Sequence, residues 1–169
     1  MSSAPQYSIE PLGAHDRLSF SCGVPELDQY LHAQAGQDAK RKVAAPFALV
    51  GADGTIAGYY TLSAYAIRLC ELPSEIARRL PKYPLIPATL LGRLAVSQAH
   101  QGQKLGRLLL MDALFRSLKN TAQVASVGVI AEAYNDAVRD FYLRHEFMPL
   151  VDHPRRLFIA MRTIQNAFS

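Results

Sequence analysis

The sequence predicts a mixed α/β sheet flanked by helices. Two early apolar segments are separated by the turn pair Asp53-Gly54, which predicts an antiparallel hairpin. The second half alternates strand, helix, strand and helix, which predicts a parallel strand pair joined by a right-handed crossover. Half of the 169 residues are apolar. Because that is enough for one core, we expect residues 1–169 to form a single domain.

Hydrophobic spacing and turn residues set the expected bounds of each element. We expect strands at residues 7–12, 46–52, 55–67, 90–96, 126–133, 147–151 and 157–162. We expect helices at residues 25–41, 74–80, 105–118 and 136–145. Pro25 suits a first helical turn, and Ser74 and Asn135 are predicted N-caps. Pro154 is expected in the connection between the last two strands.

Composition narrows the class of protein. The 18 basic and 14 acidic residues give a net charge of +4, a mild preference for anionic partners. No apolar run is long enough to span a membrane, and residues 1–10 lack the parts of a signal peptide, so we expect a cytoplasmic protein. Cys22 and Cys70 follow no metal or redox spacing and are expected to be buried, reduced thiols. The histidines show no metal spacing either, and no metal is expected.

Residues 90–118 join an apolar strand, a polar loop and an amphipathic helix. A turn of this kind exposes the free N–H groups of the first helical turn, and the helix dipole favours negative charge there. We therefore expect a phosphate or pyrophosphate over residues 101–107. The loop lacks the GxxxxGK[ST] pattern of a Walker P-loop. With only Gly102 and Gly106 it also lacks the GxGxxG of a dinucleotide site.

Two motifs, in order along the chain, resemble those of the GNAT N-acetyltransferases. The family places Arg/Gln-x-x-Gly-x-Gly/Ala between a strand and a helix, and QGQKLG at residues 101–106 matches it except at Lys104. A non-glycine residue there costs free energy if its φ is positive. Downstream, YNDAVRDFYLRHEF at residues 134–147 looks like the family's Asn and Phe-Tyr-x-x-x-Gly-Phe motif, with Glu146 in place of the glycine. The resemblance implies the GNAT fold, a mixed central sheet with a splayed parallel strand pair flanked by helices.

A narrower resemblance covers nearly the whole chain. Phe20, Cys22-Gly23, Leu27-Asp28 and the segment GRLAV at residues 92–96 look like the toxin branch of type II toxin–antitoxin systems. Members of that branch acetylate the amino group of aminoacyl-tRNA and inhibit translation. The resemblance therefore implies acetyl-CoA as cosubstrate and aminoacyl-tRNA and a ribbon-helix-helix antitoxin as partners. Homodimers are common in the group, the oligomeric state stays open from the sequence, and no membrane association is implied.

The resemblance also implies roles for individual residues. Tyr142 would be the general acid that protonates the CoA sulfur, since a phenol's high pKa keeps it protonated at neutral pH. Backbone groups of Leu94 and Val96 would pair with the pantetheine arm as an added strand does. Asn135 would cap its helix and contact the same arm. The implied cofactor-binding residues are Leu94, Ala95, Val96, Gln101, Gly102, Gln103, Lys104, Leu105, Gly106, Arg107 and Asn135. Glu132 lies on a suitable strand, but alternation along a strand leaves open which way its side chain points, and no general base is assigned.

Basic residues on predicted helix ends and loops are the candidates for RNA contact, because phosphate contacts supply affinity without reading sequence. The main candidates are Arg78, Arg79, Lys82 and Arg93. Further candidates are Lys40, Arg41, Lys42, Arg155 and Arg156. Two other functions stay open from the sequence alone. One is a GNAT enzyme acting on a small amine or a protein N-terminus, and the other is a catalytically silent acyl-CoA-binding module.

Overall fold

A computed structural model describes residues 6–169. Its strands are β1 (Tyr7–Pro11), β2 (Ala45–Gly51), β3 (Ile56–Arg68), β4 (Leu85–Val96), β5 (Gly128–Glu132), β6 (Met148–Leu150) and β7 (His153–Ala160). Its helices are α1 (Pro25–Gln29), α2 (Ala35–Arg41), α3 (Ser74–Ala77), α4 (Leu105–Asn120), α5 (Asp136–Arg144) and α6 (Met161–Ala167). The strands form one sheet in the order β1-β2-β3-β4-β5-β7-β6.

The pairing of the strands confirms the predicted mixed sheet. β1, β2 and β3 pair antiparallel, and the turn before β3 has Gly54 at φ +84° with Asp53 accepting hydrogen bonds from Thr55. β4 and β5 are parallel, with residues 89–91 opposite residues 129–131. That pairing ends at Leu91, and β4 continues to Val96. β7 pairs antiparallel with both β5 and β6.

The chain divides into two compact units. The first consists of residues up to Leu62 together with Arg93–Ala113, and its core includes Phe20, Leu31 and Tyr59. The second consists of Ser63–Gly92 and Leu114–Ser169, and its core includes Ile86, Ile130 and Phe158.

Two predicted helices differ from the structure in detail. The helix expected at residues 25–41 contains a π-helical segment, Tyr30–Gln34, in which the Ala35 N–H donates to the carbonyl of Tyr30. This wider turn is not visible in hydrophobic spacing. Ser74 is not the N-cap of α3, because the extended residue Pro73 precedes the helix and makes Ser74 its first residue. The helix also ends at Ala77 rather than at residue 80.

Other predictions need correction in the strands and at one cysteine. β4 begins at Leu85, five residues before the expected start at residue 90. Pro154 is the second residue of β7 rather than part of the connection, a place near a strand start where proline is tolerated. The last strand ends at Ala160, and the next residue begins α6. Cys22 is buried as expected, but Cys70 is exposed. Among residues 6–169 there is no helix long and apolar enough to cross a membrane.

Candidate functional site

The loop between β4 and α4 is fixed at its start by backbone hydrogen bonds. The Ser97 N–H donates to the carbonyl of Ala57 at 2.8 Å, and the Gln98 N–H donates to the carbonyl of Ser21 at 2.8 Å. A single 3₁₀ turn, Gln98–His100, follows before the exposed residues 101–104. Because α4 begins at Leu105, the open N–H groups of its first turn lie directly after this loop. The loop therefore has the strand-turn-helix form that an anion site requires.

Two side-chain contacts that the sequence does not reveal also hold the loop. The Gln101 amide donates to the carbonyl of Val96 at 3.2 Å and to that of Cys22 at 3.4 Å. The amide group thus binds the protein's own backbone and occupies one of the two lone pairs of the Val96 carbonyl. The Tyr7 hydroxyl donates to the side-chain oxygen of Gln103 at 2.9 Å. Spacing alone could not reveal these contacts, because they join the loop to distant parts of the chain.

The two residues that replace family glycines both have the backbone conformation that favours glycine. Lys104 has φ +60° and Glu146 has φ +70°. Gly102 in the same loop has φ +86°, and a Cβ there would meet no atom within 4 Å, so only its φ requires glycine. The turn thus keeps a glycine-like geometry at Lys104. A left-handed conformation costs a non-glycine residue about 1–2 kcal/mol.

Replacing Lys104 with glycine separates this backbone strain from the charge of the side chain. We expect the free energy of unfolding to rise by about 0.5–1 kcal/mol, since relief of strain exceeds the extra entropy of glycine. We also expect the KM for acetyl-CoA to rise about fivefold, because an exposed cation near a phosphate contributes about 1 kcal/mol. Thermal unfolding and steady-state kinetics measure the two effects.

Glu146→Gly is the matched control for that substitution. It relieves the same kind of strain without removing a charge from the loop, so we expect a similar gain in stability and an unchanged KM for acetyl-CoA. If Lys104→Gly lowers stability, or if both variants shift the KM equally, the separate roles assigned to strain and charge are wrong.

The helix α5 carries the predicted general acid and its neighbours. The Asn135 side chain accepts a hydrogen bond from the Val138 N–H at 2.8 Å, which confirms the predicted N-cap. Tyr142 lies two turns later and is only 3% exposed. Its ring packs against Phe141 and Phe147, with centroid distances of 5.4 and 5.0 Å. The motif thus places a tyrosine in an apolar environment.

This environment raises the pKa of Tyr142 well above the ordinary value of a tyrosine, chiefly because burial disfavours the charged phenolate. Tyr134 contributes a smaller effect in the same direction. The hydroxyl is therefore protonated throughout the neutral range. A neutral phenol can donate a proton but cannot act as a base at that pH, which suits the predicted role of acid.

A polar cavity of about 490 Å³ adjoins the first turns of α5. Its walls are formed by Asp136, Arg139, Asp140, Pro154 and Arg155. Arg155 donates to Asp136 at 2.8 Å and to the carbonyl of Tyr134 at 3.0 Å, while Arg139 donates to the carbonyl of Pro154 at 2.6 Å. Arg155 therefore holds the start of α5 to β7, and Arg139 holds the helix itself to β7.

Several charged candidates already have protein partners. Glu132, the carboxylate considered as a base, lies 3.7 Å from Arg156 in an ion pair, and its side chain is 63% exposed. Arg156 also donates to the hydroxyl of Tyr65 at 2.8 Å. Arg155 and Arg156 thus both have partners within the protein.

The main RNA candidates have different surroundings. Arg78, Arg79 and Lys82 are exposed at the end of α3 and after it, and within residues 6–169 none of them forms an ion pair. Arg93 is half-buried, and its guanidinium carbon lies 3.5 Å from the centroid of the Tyr30 ring. In the part of the chain that the structure describes, no group of three or more potential ligands could hold a metal ion.

Comparison with known families decides the class of this protein. Residues 12–147 match the model of the acetyltransferase (GNAT) family, which covers most of the chain and includes both motifs. The chain belongs to the GNAT family. The predicted family and fold are therefore confirmed, and the protein is an acetyltransferase by family.

Relatives place the chain more narrowly within the family. It is 31% identical over 149 residues to the tRNA-acetylating toxin of Mycobacterium tuberculosis (strain ATCC 25618 / H37Rv), with 88% of each chain covered. The chain is 28% identical in sequence to AtaT in a structure of AtaT complexed with acetyl-methionyl-tRNAfMet. The TM-score is 0.89, and the match covers 97% of this chain and 100% of that chain. A tyrosine-to-phenylalanine mutant of AtaT bound to the C-terminus of the antitoxin AtaR and acetyl-CoA is 25% identical. Its TM-score is 0.83, with 96% and 98% of the two chains covered. The predicted toxin branch is confirmed.

Proposed function

We propose that this protein is an acetyl-CoA-dependent N-acetyltransferase toxin that acetylates the amino group of aminoacyl-tRNA and so inhibits translation. The observation that carries the proposal is the match to the tRNA-acetylating toxin over nearly the full length of both chains. The AtaT complex with acetyl-methionyl-tRNAfMet supports a charged tRNA as acceptor. The complex with AtaR and acetyl-CoA supports both the cosubstrate and an antitoxin as partner.

In the proposed reaction the amine of the aminoacyl ester attacks the thioester carbonyl of acetyl-CoA. A carbon–nitrogen bond forms, the carbon–sulfur bond breaks, and the thiolate takes the proton of the Tyr142 hydroxyl, which then regains a proton from water. The attacking nitrogen loses its own proton to water, because the ester withdraws electrons and makes this amine more acidic than that of lysine. No carboxylate of the protein is needed as base, which agrees with the ion pair that occupies Glu132.

Residues at the end of β4, in the loop that follows it and at the cap of α5 have complementary binding roles in this proposal. Backbone groups of Leu94 and Val96 pair with the pantetheine arm, and Asn135 contacts it. The N–H groups of residues 103–107 bind the pyrophosphate, with Lys104 and Arg107 supplying charge. Gln101 lies beside the pyrophosphate in this proposal, and its amide holds the loop through the carbonyls of Val96 and Cys22. We further propose a single acetyltransferase domain, a cytoplasmic location, a ribbon-helix-helix antitoxin and assembly as a homodimer.

Controlled expression in bacterial cells tests the toxin activity. Induction of the wild-type chain is expected to stop growth and protein synthesis, and coexpression of its antitoxin is expected to restore both. Normal growth with abundant, folded wild-type protein would contradict the proposal. Acetylation of small amines or of protein N-termini in that case would favour the other GNAT activities.

A further inference from the structure

Arg93 on β4 has one fixed face and a free edge. Its guanidinium carbon lies 3.5 Å from the centroid of the Tyr30 ring, a distance typical of a strong cation–π contact. The residue is half-buried. Within residues 6–169 its N–H groups donate no hydrogen bond to a protein acceptor and form no ion pair. The guanidinium thus keeps donors that an acceptor outside the protein can take up, and burial on one side favours a charged acceptor over loss of the hydrogen bonds.

The ring below Arg93 is itself held on several sides. Tyr30 is 6% exposed and stacks on Tyr59 with an interplanar angle of 16°. The Tyr59 hydroxyl donates to the carbonyl of Leu27 at 2.6 Å, which fixes the second ring. Tyr30 also begins the π-helical segment, and such segments are frequent at functional sites.

A carboxylate fixes the other end of the Tyr30 ring. The Tyr30 hydroxyl donates to one oxygen of Asp38 at 2.8 Å, and the Gln34 amide donates to the other at 2.9 Å. These hydrogen bonds lower the pKa of Asp38, and the charges of Arg93 and Arg41 act in the same direction. Burial raises the pKa of Tyr30 to about 12. Near neutral pH the phenol is therefore the donor and the carboxylate the acceptor.

This arrangement prepares Arg93 to bind a planar pair of oxygens. Stacking fixes the plane of the guanidinium, so less rotational freedom is lost when it forms two parallel hydrogen bonds. Phosphate oxygens match that geometry. A lysine in the same place would carry the charge but neither the stacking face nor the two-pronged donor edge.

We propose that Tyr30 is a positioning residue whose ring orients Arg93 toward a phosphate group of a bound substrate. Both substrates of the proposed reaction carry phosphate, the tRNA in its backbone and acetyl-CoA in its nucleotide part. The inference rests on the proposed function for the identity of these ligands. Equilibrium binding can test it without turnover, so its failure and that of the proposed function are distinguishable.

The experiment compares wild type, Arg93→Ala, Arg93→Lys, Tyr30→Leu, Tyr30→Phe and the double variant Tyr30→Leu/Arg93→Ala. Dissociation constants for tRNA at several salt concentrations and for acetyl-CoA are measured on protein whose folding is verified by circular dichroism. We expect Arg93→Ala to weaken binding of one ligand about tenfold. If the ligand is tRNA, the salt dependence also falls by about one released counterion.

The Tyr30 variants show whether the ring acts through Arg93. Tyr30→Leu is expected to reproduce most of the loss, and adding Arg93→Ala to it is expected to cost little more. Tyr30→Phe keeps the stacking face and is expected to retain most of the affinity. Arg93→Lys is expected to keep the salt dependence but lose affinity.

The binding measurements decide which ligand supplies the phosphate and whether Tyr30 positions Arg93. A loss confined to tRNA assigns the phosphate to the acceptor, and a loss confined to acetyl-CoA assigns it to the cosubstrate; either result supports the positioning role. Unchanged binding of both ligands by Arg93→Ala overturns it. Fully additive losses from Tyr30→Leu and Arg93→Ala also overturn the positioning role. If Tyr30→Leu does not fold, unchanged binding by Arg93→Lys overturns the positioning role instead. Failure of the wild type to acetylate charged tRNA would count only against the proposed function.

Discussion

Tyr142→Phe is expected to lower kcat for acetylation of charged tRNA by at least about 100-fold, because a general acid typically contributes 10²- to 10⁴-fold. The substitution removes one oxygen from a side chain that is 3% exposed and otherwise packs on Phe141 and Phe147. Without the hydroxyl, the thiolate has to leave without a proton from the protein. Phenylalanine keeps the same ring contacts, so the fold is retained. Single-turnover kinetics with saturating acetyl-CoA measures this chemical step.

Two controls distinguish a lost proton donor from a damaged protein. The melting temperature of Tyr142→Phe and its affinity for acetyl-CoA are expected to equal those of wild type. Tyr83→Phe removes a hydroxyl from a side chain that is 62% exposed and is expected to leave kcat unchanged. A Tyr142→Phe protein with near-normal kcat would show that another group, or water, protonates the leaving thiolate.

The second large effect is expected on binding of the tRNA. Arg78, Arg79 and Lys82 are exposed cations, and within the described residues 6–169 none of the three is in an ion pair. Replacing all three with alanine is expected to weaken binding of charged tRNA about 10- to 100-fold at physiological salt. The slope of log affinity against log salt is expected to fall by about two to three units, because three phosphate contacts no longer release counterions.

The charge-retaining variant Arg78→Lys/Arg79→Lys is the matched control for that prediction. It keeps three cations in place and is expected to preserve the salt slope. Acetyl-CoA affinity is expected to stay the same in both variants. An unchanged salt slope in the triple alanine variant would assign the tRNA contact to other basic residues.

Local patterns in the sequence were enough to predict most of the fold. Alternation and turn residues located the β2–β3 hairpin, and the glycine-containing loop located the start of α4 at Leu105. The cap at Asn135 was also predictable, because an N-cap depends on one side chain and the backbone a few residues later. These features depend on neighbours in the chain, which a sequence displays directly.

Features that depend on tertiary contacts were not predictable in the same way. Spacing did not reveal that Arg93 stacks on Tyr30, since the two residues meet only after β4 and the π-helical segment have folded together. Nor did it reveal that Arg155 and Arg156 have acidic partners. The conformation at Lys104 was predictable only in part. The family motif identified the position as one for glycine, but only the backbone showed that a lysine adopts the same positive φ.

Mass spectrometry of the amino acids released from tRNA tests the central claim most directly. Charged tRNA is incubated with acetyl-CoA and the wild-type chain, the ester is hydrolysed, and the released amino acids are compared with those from uncharged and Tyr142→Phe reactions. Amino acids from the wild-type reaction are expected to carry one acetyl group on the α-amino nitrogen, and the Tyr142→Phe reaction is expected to give almost no acetylated amino acid. Unmodified amino acids from every charged tRNA, with an enzyme that binds acetyl-CoA and acetylates another amine, would contradict the central claim.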